Sequence, residues 1–344
     1  MFWDYFLNLL TNDVAIDLGT ANTLVYVKGH GIVVDEPSVV AMENETKKIV
    51  AVGKKAKKMV GKTPAEIRAI KPMKDGVIAN FEITEELLRD LIIRSQQRKF
   101  LIRPRVIVAV PSGVTEVEKR AVRESAKHAG ARKVFLVSEP LAAAIGVGLP
   151  VHEPCGNMVI DIGGGTTEIA IMSLSHIVDH NSIRIGGDEM DEAIINYLKN
   201  KHNLFVGEST AEQIKINIGS AYPLENELSM EVRGRDLIKG HPVSKQITSE
   251  EIRESLSETV DAIVHAVHIL FEKIAPELSA DIADRGVILT GGASQLKGLD
   301  KKIEESVDLP VTLIDEPLTR VVMGSGRILD EIEEYKDVII PETK

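Results

Sequence analysis

Cysteine is almost absent from this 344-residue chain, aromatic residues are scarce, and basic residues do not outnumber acidic ones. Cys155 is the only cysteine, which excludes an intrachain disulfide and argues against a zinc site. The formal net charge is −11, whereas nonspecific nucleic-acid binding depends on basic residues that neutralise phosphates. These absences predict a protein of the reducing cytoplasm with no nucleic-acid partner and no membrane attachment through charge alone.

Two stretches about half a chain apart have the same pattern. Residues 14–27 and 158–172 each contain a β-rich apolar run that ends in an aspartate, a turn with glycine and threonine, and a second β-rich run. This pattern is typical of a β-hairpin with an acidic residue at the end of its first strand. The repetition predicts two similar α/β halves that face each other across a cleft.

Apolar strand patterns alternate with helical patterns in the rest of the chain. The alternation predicts parallel βαβ units joined to the hairpins, and therefore an α/β fold with a mixed sheet in each half. The capping sequence Thr248–Glu251 predicts the start of a long helix whose apolar stripe extends to Ile274. Other predicted elements are strands at 106–110, 134–137 and 286–289, and helices at 115–128, from 139 onward and at 318–334.

Two glycine-containing turns, Asp17–Thr23 and Asp161–Thr167, are suited to binding anions. Glycine lets the backbone approach a ligand closely, and successive backbone N–H groups form a concave anion site. Turns that converge from opposite halves would hold a polyphosphate, and the two aspartates would hold Mg²⁺ through water. Each turn taken alone is equally compatible with a tight hairpin, but the matching pair argues against that alternative.

A third glycine turn, Thr290–Ser294, follows a predicted strand of the second half and can take the nucleoside end of the same ligand. Taken alone, it is also compatible with a helix start at which Ser294 is the N-cap. The helical stretch 211–215 has no decisive signal by itself, and a solvent-exposed helix face is the simple alternative.

The combination of these elements resembles the actin, hexokinase and heat-shock-chaperone ATPase superfamily, and within it the MreB family of bacterial actin homologues. The resemblance extends over essentially the whole chain. Its parts are phosphate turns at 17–23 and 161–167, a nucleoside turn at 290–294, and connecting helices at 139–146 and 317–326. The stretches most similar to the family are 17–27, 36–40, 139–146, 161–169 and 186–191.

The resemblance implies an actin-like ATPase fold. Two similar α/β halves, with mixed sheets and flanking helices, would surround a nucleotide cleft, and each half would have a smaller outer subdomain. The expected boundaries are residues 1–32, 67–144 and 319–344 for the first large subdomain, 33–66 for the first small one, 145–180 and 247–318 for the second large one, and 181–246 for the second small one.

The resemblance also implies the roles of individual residues. ATP or ADP would bind with Mg²⁺, which Asp17 and Asp161 would organise. Glu139 would orient the attacking water and Thr166 would assist it. The family more often has an acid at the position of Ser138, and this departure leaves the water-positioning residue in place. The expected phosphate-binding residues are Gly19, Thr20, Ala21, Asn22, Gly163, Gly164, Gly165 and Thr166, and the expected adenosine-binding residues are Ala211, Glu212, Gln213, Ile214, Lys215, Gly291, Gly292, Ala293 and Ser294.

Two apolar segments are candidates for membrane contact. The N-terminal segment, rich in aromatic residues, is shorter than the ~20 residues of a transmembrane helix, and no basic residue precedes Lys28 as a secretory signal would require. It could pack against the domain, but an amphipathic helix in the membrane interface is favoured. A second tip at 100–102 could begin the strand at 106–110, although similar proteins have a membrane-inserting loop there. The predicted contacts are Phe2, Trp3, Phe6, Leu7, Phe100 and Leu101.

These features predict an ATP-dependent, membrane-associated filament protein that maintains cell shape by scaffolding and orienting peptidoglycan synthesis. Slow ATP hydrolysis would be coupled to the state of the polymer. Expected partners are further copies of the chain in paired protofilaments, the inner face of the cytoplasmic membrane, and membrane proteins of the cell-wall elongation machinery. One alternative is a chaperone ATPase, which would need a substrate-binding domain after the nucleotide core. The other is a small-molecule kinase, for which the sequence has no acceptor-side signature.

Overall fold

The computed structural model of the protein describes residues 13–96 and 103–342. Its first half begins with a β-hairpin and ends with a helix that leads into the second half. The elements of the first half are β1 (Val14–Leu18), β2 (Asn22–Val27), β3 (Gly31–Pro37), β4 (Val40–Glu43), β5 (Ile49–Val52), α1 (Lys54–Lys57), β6 (Ile67–Ile70), β7 (Met73–Lys74), β8 (Val77–Ile78), α2 (Phe81–Ser95), β9 (Arg105–Val110), α3 (Glu116–His128), β10 (Lys133–Ser138) and α4 (Glu139–Val147).

The second half also begins with a β-hairpin, and the chain then returns to the first half. Its elements are β11 (Asn157–Ile162), β12 (Thr167–Ser173), β13 (His176–Ile183), α5 (Gly187–His202), β14 (Leu204–Phe205), α6 (Glu208–Ile218), β15 (Ser229–Asp236), β16 (Pro242–Thr248), α7 (Ser249–Phe271), α8 (Pro276–Arg285), β17 (Val287–Thr290), α9 (Leu299–Val307) and β18 (Val311–Leu313), followed by α10 (Arg320–Asp330) and β19 (Ile339–Ile340).

The two large sheets have the same strand pattern. The first has the order β19-β10-β9-β1-β2-β3, and the second has the order β13-β12-β11-β17-β18. In each, the hairpin strands are antiparallel, and the first hairpin strand is parallel to a strand from later in the chain, β9 or β17. The predicted mixed sheets are therefore observed, and each aspartate of the repeated pattern lies in the central strand of its sheet.

Two three-stranded sheets accompany the large ones. β4, β5 and β6 form one sheet in the first half, and β14, β15 and β16 form another in the second half. Both are antiparallel. They are the smaller units of the predicted architecture.

Most element boundaries agree with the sequence-based expectations to within two residues, and local capping explains the differences. Thr115 is the N-cap of α3 rather than its first residue, because its hydroxyl forms a capping box with Glu118. The long helix that Thr248 caps ends at Phe271, so that Ile274 packs against the core from beyond the helix. The last predicted helix is shorter than expected, since Pro317–Thr319 form a 3₁₀ turn before α10 begins.

The two halves are joined by helices α4 and α10, which cross in backbone contact. A Cβ atom on Gly146 would lie 2.1 Å from the carbonyl oxygen of Arg320, and one on Gly324 would lie 1.8 Å from that of Ala142. Such distances leave no room for any side chain, so glycine is required in both helices. A shared apolar core around this crossing includes residues of both large sheets, such as Ile107 and Val159.

Candidate functional site

The cleft between the two halves contains a cavity of about 480 Å³. Both predicted phosphate turns, the nucleoside turn and the start of α4 reach it. The structure therefore brings together residues that are far apart in the sequence. The predicted site residues that line the cavity are Asp17, Gly19, Thr20, Ala21, Asn22, Glu139, Asp161, Gly163, Gly164, Gly165, Thr166, Glu212, Lys215, Gly291, Gly292 and Ala293.

The two phosphate turns approach each other so closely that the second turn needs glycine. A Cβ atom on Gly164 would lie 2.6 Å from the Cβ of Ala21, and one on Gly165 would lie 2.8 Å from the Thr20 hydroxyl oxygen. Real Cβ atoms do not approach other atoms so closely, so the backbone of this turn is exposed to the cavity without side chains. This is the geometry in which backbone N–H groups can surround an anion.

The first phosphate turn is held by side chains instead. The Ser38 hydroxyl donates to the carbonyl oxygen of Gly19 at 2.6 Å, and the Ser38 backbone N–H donates to that of Ala21 at 2.9 Å. The Thr20 hydroxyl accepts a hydrogen bond from the backbone N–H of Gly76 at 3.1 Å. Ser38 has no accessible surface, so these hydrogen bonds are protected from water and fix the turn.

Three buried carboxyl groups of the cavity have raised pKa values. Burial raises the pKa of Asp17 to about 7. Burial, with the charges of Asp17 and Glu168, raises that of Asp161 to about 8. The pKa of Glu139 is raised well above its ordinary range, first by burial and then by the charges of Asp17, Glu168 and Asp161. Ionisation of these three carboxyl groups is therefore unfavourable in the protein alone, and a bound cation would favour their charged forms.

Mg²⁺, the metal that the resemblance implies, suits this cluster chemically. Carboxylate oxygens are hard ligands of the kind that Mg²⁺ prefers, and a divalent cation would stabilise the charged forms that burial disfavours. Within residues 13–96 and 103–342, no group of three or more His, Cys, Asp or Glu side chains is placed to ligate a metal. The two aspartates at the strand ends fit an ion held through water and phosphate oxygens.

Glu168 is an acidic residue of this region that the sequence-based prediction missed. It lies in β12 directly opposite Asp161 of β11, and it is 1% exposed. Burial raises the pKa of Glu168, while hydrogen bonds from Ser182 and Ser112 lower it. A signal was present in the sequence, because a glutamate within the otherwise apolar strand Thr167–Met172 needs a polar partner once it is buried.

The far end of the cavity is formed by α5, α6 and the nucleoside turn. The Lys215 ammonium donates to the carbonyl oxygen of Gly187 at 2.6 Å and forms an ion pair with Asp191 at 2.9 Å. Lys215 thus ties α6 to the start of α5. Gly187, Asp188 and Asp191 line the cavity but were not predicted as site residues, although the Gly-Gly-Asp sequence at 186–188 was a usable signal.

Four predicted adenosine-binding residues do not line the cavity. Ala211 and Ile214 are buried in the core of the second half. Gln213 is exposed on the opposite side of α6, and Ser294 is buried, where its hydroxyl donates to the carbonyl oxygen of Gly291 at 2.6 Å. The reason is the helical period, since residues spaced by three or four share a face. The cavity face of α6 therefore consists of Glu212, Lys215 and Ile216.

Ion pairs cross the mouth of the cleft above the cavity. Lys57 of α1 lies 2.7 Å from Glu212 of α6, and Lys71 lies 3.1 Å from Asp188 of α5. Each pair joins the first half to the second. All four side chains are partly exposed, so each pair contributes at most about 1 kcal/mol.

The predicted membrane contacts Phe2, Trp3, Phe6, Leu7, Phe100 and Leu101 lie outside the described residues. Among the helices of residues 13–96 and 103–342, none combines the length and the apolar character that a membrane-spanning helix requires.

Comparison with known proteins identifies relatives over nearly the whole chain. The family model described as MreB/Mbl protein matches residues 11–337. The cell shape-determining protein MreB of Escherichia coli (strain K12) is 52% identical over 335 residues, which are 96% of this chain and 96% of that protein.

Solved structures confirm the predicted actin-like fold. The crystal structure of MreB5 of Spiroplasma citri bound to ADP matches with a TM-score of 0.90 and 38% identity, and it covers 94% of this chain and 98% of that one. The same protein bound to AMPPNP matches with a TM-score of 0.89. The MamK double helical filament matches with a TM-score of 0.77 over 93% of this chain and 99% of that one, and at 22% identity it supports the fold alone.

Proposed function

This chain belongs to the MreB/Mbl family, and on that premise we propose that it is an ATP-dependent filament protein that maintains cell shape. The observation that carries the proposal is the pair of phosphate turns that meet across one cavity, Gly19–Asn22 and Gly163–Thr166. Two anion-binding turns from opposite halves suit a polyphosphate. The relative in Escherichia coli is a cell shape-determining protein, and MreB5 of Spiroplasma citri binds ADP and AMPPNP.

We propose that ATP binds with its phosphates between the two turns and its adenosine toward α6. The backbone N–H groups of both turns would surround the phosphates, and Asp17 and Asp161 would hold Mg²⁺, which neutralises phosphate charge when it is bound. Glu212, Lys215, Gly291 and Gly292 would contact the adenosine. Because Lys57 is paired with Glu212, the ribose would compete with this ion pair for the glutamate.

Hydrolysis requires a water molecule aligned with the terminal phosphate. Glu139 lies at the first position of α4 and lines the cavity together with Asp17 and Asp161, where its carboxylate can accept a hydrogen bond from that water. Thr166 can donate from its hydroxyl to the same water. Phosphoryl transfer depends on positioning and charge neutralisation rather than on covalent chemistry, so these two residues would suffice to orient the nucleophile. The product would be slow ATP hydrolysis that changes the state of a polymer.

The proposed filament lies on the inner face of the cytoplasmic membrane. Side chains of Phe2, Trp3, Phe6 and Leu7 and of the tip at Phe100 and Leu101 would insert into the interface. Each fully buried large apolar side chain contributes about 1.5–3 kcal/mol, so a single subunit binds weakly and a filament binds through many copies. On the membrane, the filament would scaffold and orient peptidoglycan synthesis through membrane proteins of the elongation machinery.

The proposed subdomains follow the boundaries stated above. Residues 33–66 and 181–246 would form the small outer units. The sheet of β4, β5 and β6 and the sheet of β14, β15 and β16 support two such units, but β6 lies beyond residue 66 and β16 extends past residue 246.

Electron microscopy of the full chain on lipid vesicles tests the proposal. With ATP and Mg²⁺ we expect filaments on the vesicle surface, and a variant that lacks residues 2–10 should bind nucleotide normally but sediment less with the vesicles. A protein that binds ATP and forms no filaments would favour the chaperone-type alternative, and phosphate transfer to a small acceptor would favour the kinase. Undiminished sedimentation of the deletion variant would exclude the N-terminal anchor.

A further inference from the structure

A series of hydrogen bonds around the buried carboxylate of Glu168 joins the two halves behind the cavity. Glu168 of β12 is outside the lining of the cavity. Its Oε2 accepts a hydrogen bond from the backbone N–H of Ser112 at 2.9 Å, and its Oε1 accepts one from the hydroxyl of Ser182 in β13. Ser112 belongs to the turn after β9 in the first half. The buried Glu168 carboxylate therefore connects the two halves through Ser112, which is half-buried, whereas Ser182 is exposed.

The series continues from Ser112 to the N-terminal end of α4. The hydroxyl oxygens of Ser112 and Ser138 lie 3.0 Å apart, within hydrogen-bond distance. Ser138 is the N-cap residue of α4, yet its side chain does not cap the helix. Serine at this position usually accepts a hydrogen bond from a backbone N–H of its own helix. Here the hydroxyl is used to contact Ser112, and Glu139 follows directly in the chain.

Close packing of the turn 111–113 on the second half restricts how the halves can move. A Cβ atom on Gly113 would lie 3.3 Å from the Cβ of Ser182. A Cβ atom on Gly76 would lie 2.9 Å from Thr166 and 3.0 Å from Pro111. The turn thus fits against β13 and near Thr166, so that separation of the halves would break its contact with Glu168.

We propose that Glu168 is a positioning residue for Glu139 and that it acts through Ser112 and Ser138. The proposal rests on the proposed function, in which Glu139 orients the attacking water. Because the hydrogen bonds extend from one half to the other, Glu139 is aligned when the halves are close enough for Ser112 to reach Glu168. Hydrolysis is thereby coupled to closure of the cleft behind the nucleotide.

Steady-state ATP hydrolysis of the full chain, with kcat and KM measured separately, tests this proposal. Glu168→Ala should lower kcat by about ten- to a hundredfold, since a displacement of about 1 Å in a catalytic group has an effect of that size. Affinity for AMPPNP, measured by calorimetry, should agree within about twofold between Glu168→Ala and Glu168→Gln, because both variants remove the charge that acts on Asp161 and Glu168 is outside the lining of the cavity. Glu168→Gln should restore most of kcat, since its carboxamide oxygen can still accept from the Ser112 N–H.

A double-mutant cycle tests the route through Ser138. Ser138→Ala should also lower kcat, and the double variant with Glu168→Ala should be no slower than Glu168→Ala alone, because both residues act on the same group. A matched control is Glu227→Ala. Glu227 also accepts from a serine hydroxyl, that of Ser249, and from a backbone N–H, that of Leu224 at 3.3 Å, but it lies outside the cavity. This variant should have an unchanged kcat even if its Tm falls.

Three results would overturn the proposal: an unchanged kcat in Glu168→Ala, independent losses that multiply in the double variant, or a loss of AMPPNP affinity as large as the loss of kcat. If Glu168→Ala does not fold, Ser138→Ala still decides the question, because an unchanged kcat in that variant excludes the route through Ser138. Glu139→Ala, measured in parallel, separates this proposal from the one on which it rests. Normal hydrolysis by Glu139→Ala refutes the role of Glu139 itself, whereas its loss together with a normal Glu168→Ala refutes the positioning role alone.

Discussion

The two halves have the same strand pattern but differ at the residue that pairs with the aspartate across each hairpin. In the first half Asp17 pairs with Leu24, which is 4% exposed. In the second half Asp161 pairs with Glu168, which is equally buried but takes part in hydrogen bonds between the halves. The same backbone arrangement therefore has an apolar residue at this position in the first half and a hydrogen-bonded carboxylate in the second.

The phosphate turns differ in a related way. The first turn has one glycine between its aspartate and Thr23, and Ser38 holds it in place. The second has three consecutive glycines, and the first turn occupies the space that side chains on two of them, Gly164 and Gly165, would need. One turn is thus positioned by hydrogen bonds and the other by close packing. A substitution that adds a side chain to the second turn should therefore lower ATP affinity more than one that removes hydrogen bonds from the first turn.

The largest effect is expected from substitution of Asp17 or Asp161, the aspartates that the two halves contribute to the proposed metal site. Asp161→Ala should abolish measurable binding of Mg-ATP, because it removes a carboxyl group of the proposed metal site. It also removes a side chain that lies against the nucleoside turn, since a Cβ atom on Gly291 would lie 2.3 Å from the Oδ1 atom of Asp161. Asp17→Ala lacks the second consequence and should be the milder of the two. Isothermal calorimetry measures both. Unchanged affinity in Asp161→Ala would exclude the proposed site.

A large effect is also expected from filling the space between the turns. Gly164→Ala would place a Cβ 3.0 Å from the backbone nitrogen of Ala21, so the turns would have to separate and ATP affinity should fall by about tenfold or more. Gly207→Ala is the control, because a Cβ there would meet no atom within 4 Å. Binding of a fluorescent ATP analogue measures both variants. If Gly164→Ala binds as tightly as Gly207→Ala, close packing does not position the second turn.

A smaller effect is expected from the support of the first turn. Ser38→Ala removes hydrogen bonds to Gly19 and Thr23 at 2.6 and 2.8 Å. A buried hydrogen bond contributes about 0.5–1.5 kcal/mol, so affinity for ATP should fall by about two- to tenfold. Ser257→Ala, which removes a hydroxyl that bonds within its own helix, is the control. Titration of both variants with the same analogue gives the comparison, and equal affinities would show that the first turn needs no support from Ser38.

The last effect concerns stability as a function of pH. Burial raises the pKa of Asp17 and Asp161 from an ordinary value of 3.8 to about 7 and about 8. The folded protein therefore holds these protons more tightly than the unfolded chain, and this stabilisation is full below about pH 4 and lost as the pH rises through 8. In nucleotide-free, metal-free protein, the Tm of the wild type should fall more steeply between about pH 5 and 8 than that of Asp161→Asn. Parallel Tm curves would contradict the raised pKa.

The halves themselves could be predicted from sequence, because the signal for them is local. Each hairpin combines a period-two apolar strand, an aspartate and a turn rich in small residues, and these residues dictate the backbone through short-range sterics. The turns at 17–23 and 161–167 were predicted for this reason, and both line the cavity. The predicted membrane contacts also rest on local sequence patterns, and they remain predictions.

The interior of the site was harder to predict, because it depends on which face of each element is buried. The resemblance implies adenosine contacts along the whole stretch 211–215, whereas helical geometry turns Glu212 and Lys215 toward the cavity and Ala211 into the core. Glu168 was missed because its partner Ser112 lies in the other half, where no local pattern connects the two.

The sequence by itself determined the repeated hairpins, the aspartates at their strand ends and the glycines that keep the second turn free of side chains, since each follows from residues that are neighbours in the chain. The tertiary structure alone decided that Ala21 meets Gly164, that burial and the charges of Asp17 and Asp161 raise the pKa of Glu139, and that Ser138 contacts Ser112 in place of capping its helix. The physical reason is that steric preferences act between neighbours along the chain, whereas packing, charge repulsion and hydrogen bonding act between any groups that the fold brings within a few ångströms.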